Sequence, residues 1–257
     1  MEPKLRKLRN FNLFMAFLHF GQGVAMLILS SSFFLPVTTS FLKFNLVTGK
    51  LAPDTQTLFD LKIGPAVAVF LFLSALAHLL VSTVFNKWYN ENLARGINYA
   101  RWIEYSFSAS IMIVIISMLV GIYDIASLLL LFGLNASMML FGWMMELHNN
   151  ALQKEGEKVN WTAFIFGCIA GIIPWIAIAI YLFGAGGGDN KAPAFVYWIY
   201  FSIFLFFNCF AINQVLQYKK VGKWADYLYG ERVYIILSLV AKSLLAWQVF
   251  AGTLRPV

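Results

Sequence analysis

Two ionisable residues interrupt otherwise apolar stretches of this 257-residue chain: Lys242, within Ser238-Leu239-Val240-Ala241-Lys242, and Glu104, within Arg101-Trp102-Ile103-Glu104. An amine kept from water gives up its proton readily and becomes a nucleophile that condenses with an aldehyde to form a Schiff base. In a low-dielectric site such an imine keeps its proton only beside an anion, and Glu104 is the one carboxylate read as well inside an apolar span. The alternative is a structural ion pair, but desolvation consumes most of the Coulomb gain of a buried pair. Asp124 and Glu146 read as lying near helix ends, and the remaining acids as lying in loops or termini.

Spacing draws further polar groups to the same level. Lys242 stands ten residues past Arg232, Glu104 nine past Arg95, His78 nine before Lys87 and His19 ten after Arg9. At about 1.5 Å per helical residue, all four lie roughly 14–15 Å from one membrane edge. Helical spacing adds Gln22 to His19, Ser74 to His78 and Ser238 to Lys242, and Asn98 lies between Glu104 and that edge. Each histidine alone also reads as a satisfied core residue, and polar side chains in membrane helices serve as packing contacts. As a set, they read as a hydrogen-bonding and proton-accepting network around the amine. An apolar slot beside it could be built from Phe204, Phe206, Phe207, Phe210, Met138, Met139, Trp143 and Trp102, residue types that equally serve packing or face lipid.

The elements that position these groups are membrane helices. The chain is 60% hydrophobic and 12% charged, with a mean hydropathy of +0.73, whereas soluble domains carry about a quarter charged residues. A span needs roughly 20 apolar residues, and the apolar blocks predict seven, at 10–35, 63–87, 95–121, 124–148, 160–183, 194–218 and 230–253. The expected fold is all-α, a single seven-helix membrane domain over residues 1–257, with little chain left for an enzymatic domain. The first apolar stretch is too long for a signal peptide and lacks a cleavage site, so it reads as a retained helix. With the N-terminus inside, thirteen of the nineteen lysines and arginines fall on the cytoplasmic face and five outside, leaving Lys242 in the membrane. This bias predicts a cytoplasmic N-terminus and an extracellular C-terminus. The longest connection, 36–62, shows partial alternation over Ser40–Leu46 and a Thr48-Gly49-Lys50 turn, predicting a short outer β-hairpin. Gly184 to Gly188 predicts a loop after the fifth span. Cys168 and Cys209 sit in apolar runs and read as small buried hydrophobes, with no disulfide or metal pattern.

With these residues in view, the chain resembles the heliorhodopsins, retinal-binding rhodopsins of inverted topology. The resemblance spans all seven helices. It is carried by His19 with Gln22, Ser74 with His78, Asn98 before Arg101-Trp102-Ile103-Glu104, Asn135 with Met138, Met145-Glu146-Leu147-His148, Phe207 with Asn208 and Gln214, and Ser238 to Lys242. It implies all-trans retinal on Lys242 as a protonated Schiff base, with Glu104 as counterion. It further implies that Trp102, Asn135, Met138, Phe207, Gln214 and Ser238 contact the chromophore or its linkage, and that His19, Ser74, His78 and bound water form a cytoplasm-side polar cavity. A homodimer is implied as well, with the outer hairpin and the fourth and fifth spans as candidate contacts; Gly167-x-x-x-Gly171 in the fifth suits close helix approach.

A proton pump needs a second exchanging carboxylate beyond the Schiff base, and the outer half of the third span, Ile111 to Ser117, holds none. The expected function is therefore photosensory, with an unidentified signalling partner and neither pumping nor enzymatic activity. A light-driven or light-gated ion transporter, or a retinal-free seven-helix transporter of small molecules, are the alternatives.

Overall fold

The computed structural model describes residues 3–151, 158–184 and 191–254. The elements run α1 (Pro3–Leu29), β1 (Phe34–Asn45), β2 (Lys50–Lys62), α2 (Ile63–Ser82), α3 (Asn86–Ala94), α4 (Tyr99–Leu119), α5 (Ile125–Glu146), α6 (Thr162–Gly184), α7 (Ala194–Tyr218) and α8 (Tyr227–Val249). Every helix except the short α3 is long and apolar enough to cross a membrane, which makes seven among the described residues. Residues 185–188 of the glycine-rich loop, together with Lys154 and Arg255, lie outside the described residues.

Local chemistry sets the helix starts. Pro65 stands in the first turn of α2, where an N–H would have no intrahelical acceptor. The Asn98 side chain caps α4 by accepting from Arg101 N at 3.0 Å, and Asp124 caps α5 by accepting from Ser127 N at 2.9 Å. Pro174 lies inside α6, as membrane helices allow. The outward faces carry large apolar side chains, such as Phe17 (72% exposed), Leu130 (73%) and Ile180 (64%), which suit lipid and not water.

Helix α1 packs on α2 and α8, α2 on α4, α4 on α5, α5 on α6, and α7 on α8. Helices α6 and α7 meet through aromatic rings: Trp175 packs edge-on against Tyr200, Phe204 and Phe207. The half of the bundle nearest the hairpin is filled by buried apolar side chains, among them Met26, Phe70, Leu71, Ile115, Ile116, Met118 and Val249.

Two elements differ from the hydropathy reading. The first helix ends at Leu29 and not near 35, because the chain from Phe34 is already a strand; the hairpin is consequently much longer than the predicted one. Strands β1 and β2 pair antiparallel from Phe34↔Lys62 to Asn45↔Lys50, with an irregularity at Val37/Thr38 that leaves Leu58 as the extra residue. The turn is closed by the Asn45 side chain, which accepts from the backbone of Val47 and Thr48, and by Gly49 at φ +64°. Lys43 pairs across the strands with Asp54, and its hydrogen bond, with a second from Gln56, holds the Asp54 carboxyl below the usual carboxylate range. Thr38 N donates to Tyr123 O at 2.9 Å, fastening the hairpin base to the turn before α5. The second difference is α3, a short helix where the reading left residues 88–94 as a connection between spans.

Candidate functional site

Lys242 stands midway along α8, with its side chain only 4% exposed. Its Nζ donates to Glu104 Oε1 of α4 at 2.8 Å and to Ser238 Oγ, one turn earlier on α8, at 2.9 Å. Ser74 of α2 donates to the same Glu104 oxygen at 2.6 Å. Nζ also lies 5.0 Å from the centroid of the Tyr105 ring, a cation–π contact. Three helices thus bring Lys242, Glu104, Ser74 and Ser238 into one connected polar chain.

The histidines are adjacent to it. The His19 and His78 rings stack at 5.7 Å with planes 9° apart. His78 Nδ1 lies 2.7 Å from Asn12 Oδ1, while both ring nitrogens of the fully buried His19 lack a protein partner. Asn12, buried at 1% exposure on α1, was missed by sequence reasoning, although it stands seven residues before His19 on the same face.

Lys242 and Ser238 also open onto an apolar cavity of about 1100 Å³, its mouth included. Trp102, Met138, Phe207 and Gln214 line it, as do Met139, Phe204 and Phe210. Sequence reasoning missed Tyr105, Trp175 and Tyr234; their spacing does not distinguish them from other buried aromatics. Gly167 and Gly171 line the cavity too, where a Cβ would run into α5 at Phe141 and Met138, so this small-residue pair serves contact within the chain.

Several expected residues lie elsewhere. Asn135 is not among the lining residues; its amide donates to Ser110 Oγ at 3.0 Å, between α5 and α4. Phe206 and Trp143 do not line the cavity either, and Trp143 packs edge-on against Tyr99. Gln22 makes no hydrogen bond to His19 and accepts from Trp247 Nε1 at 3.1 Å. Asn98 does not bond Glu104; its amide donates to Glu231 Oε2 at 2.6 Å and its backbone N–H to Glu146 Oε2 at 2.9 Å. Cys168 is exposed and not buried.

The largest correction concerns charge. Arg101, counted as a surface charge, is buried with Glu146 and Glu231, and its guanidinium bridges the two carboxylates. Trp102 Nε1 donates to Glu146 at 2.6 Å, and the guanidinium sits 4.5 Å from the Trp102 ring centroid and 3.9 Å from that of Tyr234. Trp102 and Tyr234 thus separate this cluster from the cavity.

Gly142 makes that wall testable. A Cβ there would run into the six-membered ring of Trp102, which the bond to Glu146 and the guanidinium stack prevent from yielding. We expect Gly142→Ala to destabilise the fold by about 1–3 kcal/mol, the usual cost of overpacking. Thermal denaturation in detergent measures it, and an unchanged midpoint would show that the ring moves freely.

No curated protein matches the chain. The heliorhodopsin family model matches residues 8–254, nearly the whole chain; with a buried lysine beside an apolar cavity, the protein belongs to the heliorhodopsins, light-sensing retinal proteins of the membrane.

Proposed function

We propose that the protein is a photosensory receptor that carries all-trans retinal on Lys242 and moves a proton locally without pumping ions. The observation that carries this reading is the asymmetry of the bundle around Lys242. Its polar partners Glu104, Ser74, Ser238, His78, His19 and Asn12 form one cluster, whereas the hairpin-side half is packed with apolar side chains. Among the described residues, the acid nearest that side on α4 or α5 is Asp124, occupied as the cap of α5.

The residues fit the chromophore. The cavity is lined by Trp102, Met138, Phe207 and other apolar side chains suited to a polyene, and Lys242 stands on its wall. Retinal, bound to Lys242 as a Schiff base, supplies light absorption and a photoisomerisation. Glu104 then acts as counterion to the Lys242 nitrogen, and Ser74 and Ser238 orient the pair through their hydroxyls. His78 and His19 take the proton transiently: they stack on each other, and His19 has two free ring nitrogens. Gln214 donates weakly to Met145 Sδ at 3.4 Å, which leaves its carbonyl for the cavity.

The excess of lysine and arginine at the N-terminal end supports a cytoplasmic N-terminus. The exposed Phe41, Leu42, Phe44 and Phe59 of the hairpin support a homodimer contact there. Illuminated vesicles carrying the protein are expected to show neither a sustained current nor an external pH change. A sustained, uncoupler-sensitive pH change would replace this reading with that of a transporter.

A further inference from the structure

A second cavity shares Tyr105 and Tyr234 with the first. Glu104 and His78 line one part of it, and Asn98, Arg101 and Glu231 another. It therefore joins the polar surroundings of Lys242 to the buried cluster around Arg101. That cluster holds one cation and two carboxylates, and among the described residues Arg101 is the only cation ion-paired with either acid. Both acids are 1% exposed. The Lys242–Glu104 pair is balanced within itself; the Arg101 cluster carries one uncompensated negative charge.

The surroundings of the two acids are hydrogen-bond donors and neutral phenols. From α4, Asn98 and Trp102 donate to them besides Arg101; from α7, Gln217 Nε2 reaches Glu231 at 3.5 Å; and on α8, the Tyr227 hydroxyl reaches Glu146 at 3.4 Å. Tyr218 and Tyr234 also face the pair, and Tyr89 of α3 approaches through Asn98. These groups are donors that carry no charge of their own, so the formal balance of the cluster stays at one cation against two carboxylates. Removing a net charge from a poorly solvated site is worth several kcal/mol, so the cluster attracts any proton that can reach it. A second observation points into the same cavity: Arg101 Nε, on a residue only 6% exposed, has no protein acceptor. The cavity is lined by Asn98, Arg101, Glu104 and Glu231, polar groups that suit ordered water, and such water conducts protons between carboxylates.

We propose that Glu146 and Glu231, clamped on Arg101, form a proton-accepting site that exchanges with Lys242 and Glu104 through this second cavity. A proton leaving the Lys242 nitrogen passes by way of His78 and cavity water to a carboxylate oxygen of the pair. No electrons move. The cluster becomes neutral, and the return journey restores the resting charges. The exchange rests on the reading of Lys242 as the retinal lysine; the acidity of the pair does not.

The test is infrared spectroscopy on protein with carbon-13-labelled glutamate, first without retinal. Acidification is expected to raise a glutamate carboxyl C=O band that vanishes in Glu231→Gln and in Glu146→Gln but persists in Glu104→Gln. With retinal bound, the same band is expected in the light-minus-dark spectrum as the near-ultraviolet, deprotonated species forms. Retinal-free wild type, Glu146→Gln and Glu231→Gln with identical titrations would overturn the accepting site. A light-induced near-ultraviolet species without a glutamate carboxyl band, measured on the wild type and so free of any folding defect, would overturn the exchange. Failure to bind retinal would instead sink the functional reading while leaving the titration result standing.

Discussion

Replacing Lys242 by alanine is expected to abolish entirely the visible absorption band that the purified protein gains with retinal. Among the described residues, Lys242 is the one lysine or arginine that lines the cavity. The substitution also strips Glu104 of its cation, and breaking one side of a buried pair typically costs about 3–5 kcal/mol. Lack of colour could then reflect poor folding. The double variant Lys242→Ala/Glu104→Gln removes the stranded charge, so it should regain wild-type thermal stability in detergent and remain colourless. A band of wild-type intensity in either variant would end the assignment of Lys242.

Glu104→Gln is expected to leave the protein able to bind retinal but to change its colour. In the folded chain, the Glu104 carboxylate is the anion 2.8 Å from the Lys242 nitrogen. The positive charge at that nitrogen is concentrated in the ground state and spread along the polyene on excitation, so a nearby anion stabilises the ground state more. Removing it narrows the gap and moves the protonated band to longer wavelength. It also weakens the hold on the proton, since a cation in a low-dielectric site depends on its partner. Part of the sample should therefore absorb in the near ultraviolet at neutral pH, and more on alkalinisation. Ser74→Ala removes only a hydroxyl donor to the same oxygen and should give a smaller shift than Glu104→Gln. An unchanged spectrum and titration in Glu104→Gln would refute the counterion role.

The Lys242 surroundings were legible because each partner sits inside a long apolar helix, where depth follows from counting residues. Lys242, Glu104, Ser74, His19 and His78 could be matched in level without knowing how the helices rotate, and the structure brings them together. Arg101, Glu146 and Glu231 were misread for the complementary reason. They lie near helix ends, where an ionised residue normally reaches water, and their burial depends on how the ends of α3, α4, α5, α7 and α8 close over them. Hydropathy carries no information about that closure. Rotation about the helix axis was not legible: helical spacing placed Gln22 beside His19 and the resemblance placed Asn135 beside the chromophore, whereas in the structure they bond Trp247 and Ser110. The hairpin was under-read because its strands carry many exposed apolar residues without strict alternation, so only the segment around the turn stood out.

The two sides of the cavity differ in stiffness. On one side, Trp102 is bolted through its indole to Glu146 and Tyr105 through its hydroxyl to Tyr234 O at 3.0 Å. On the other, Phe204, Phe207 and Phe210 present rings with no polar atom to pin them. The α4 wall is therefore fixed by hydrogen bonds and the α7 wall by ring packing alone. At its far end, Asn213 holds Trp224 of the following 3-10 turn through a 2.6 Å hydrogen bond. That bond couples the less constrained wall to the α7–α8 connection, at the end of the bundle that carries the N-terminus.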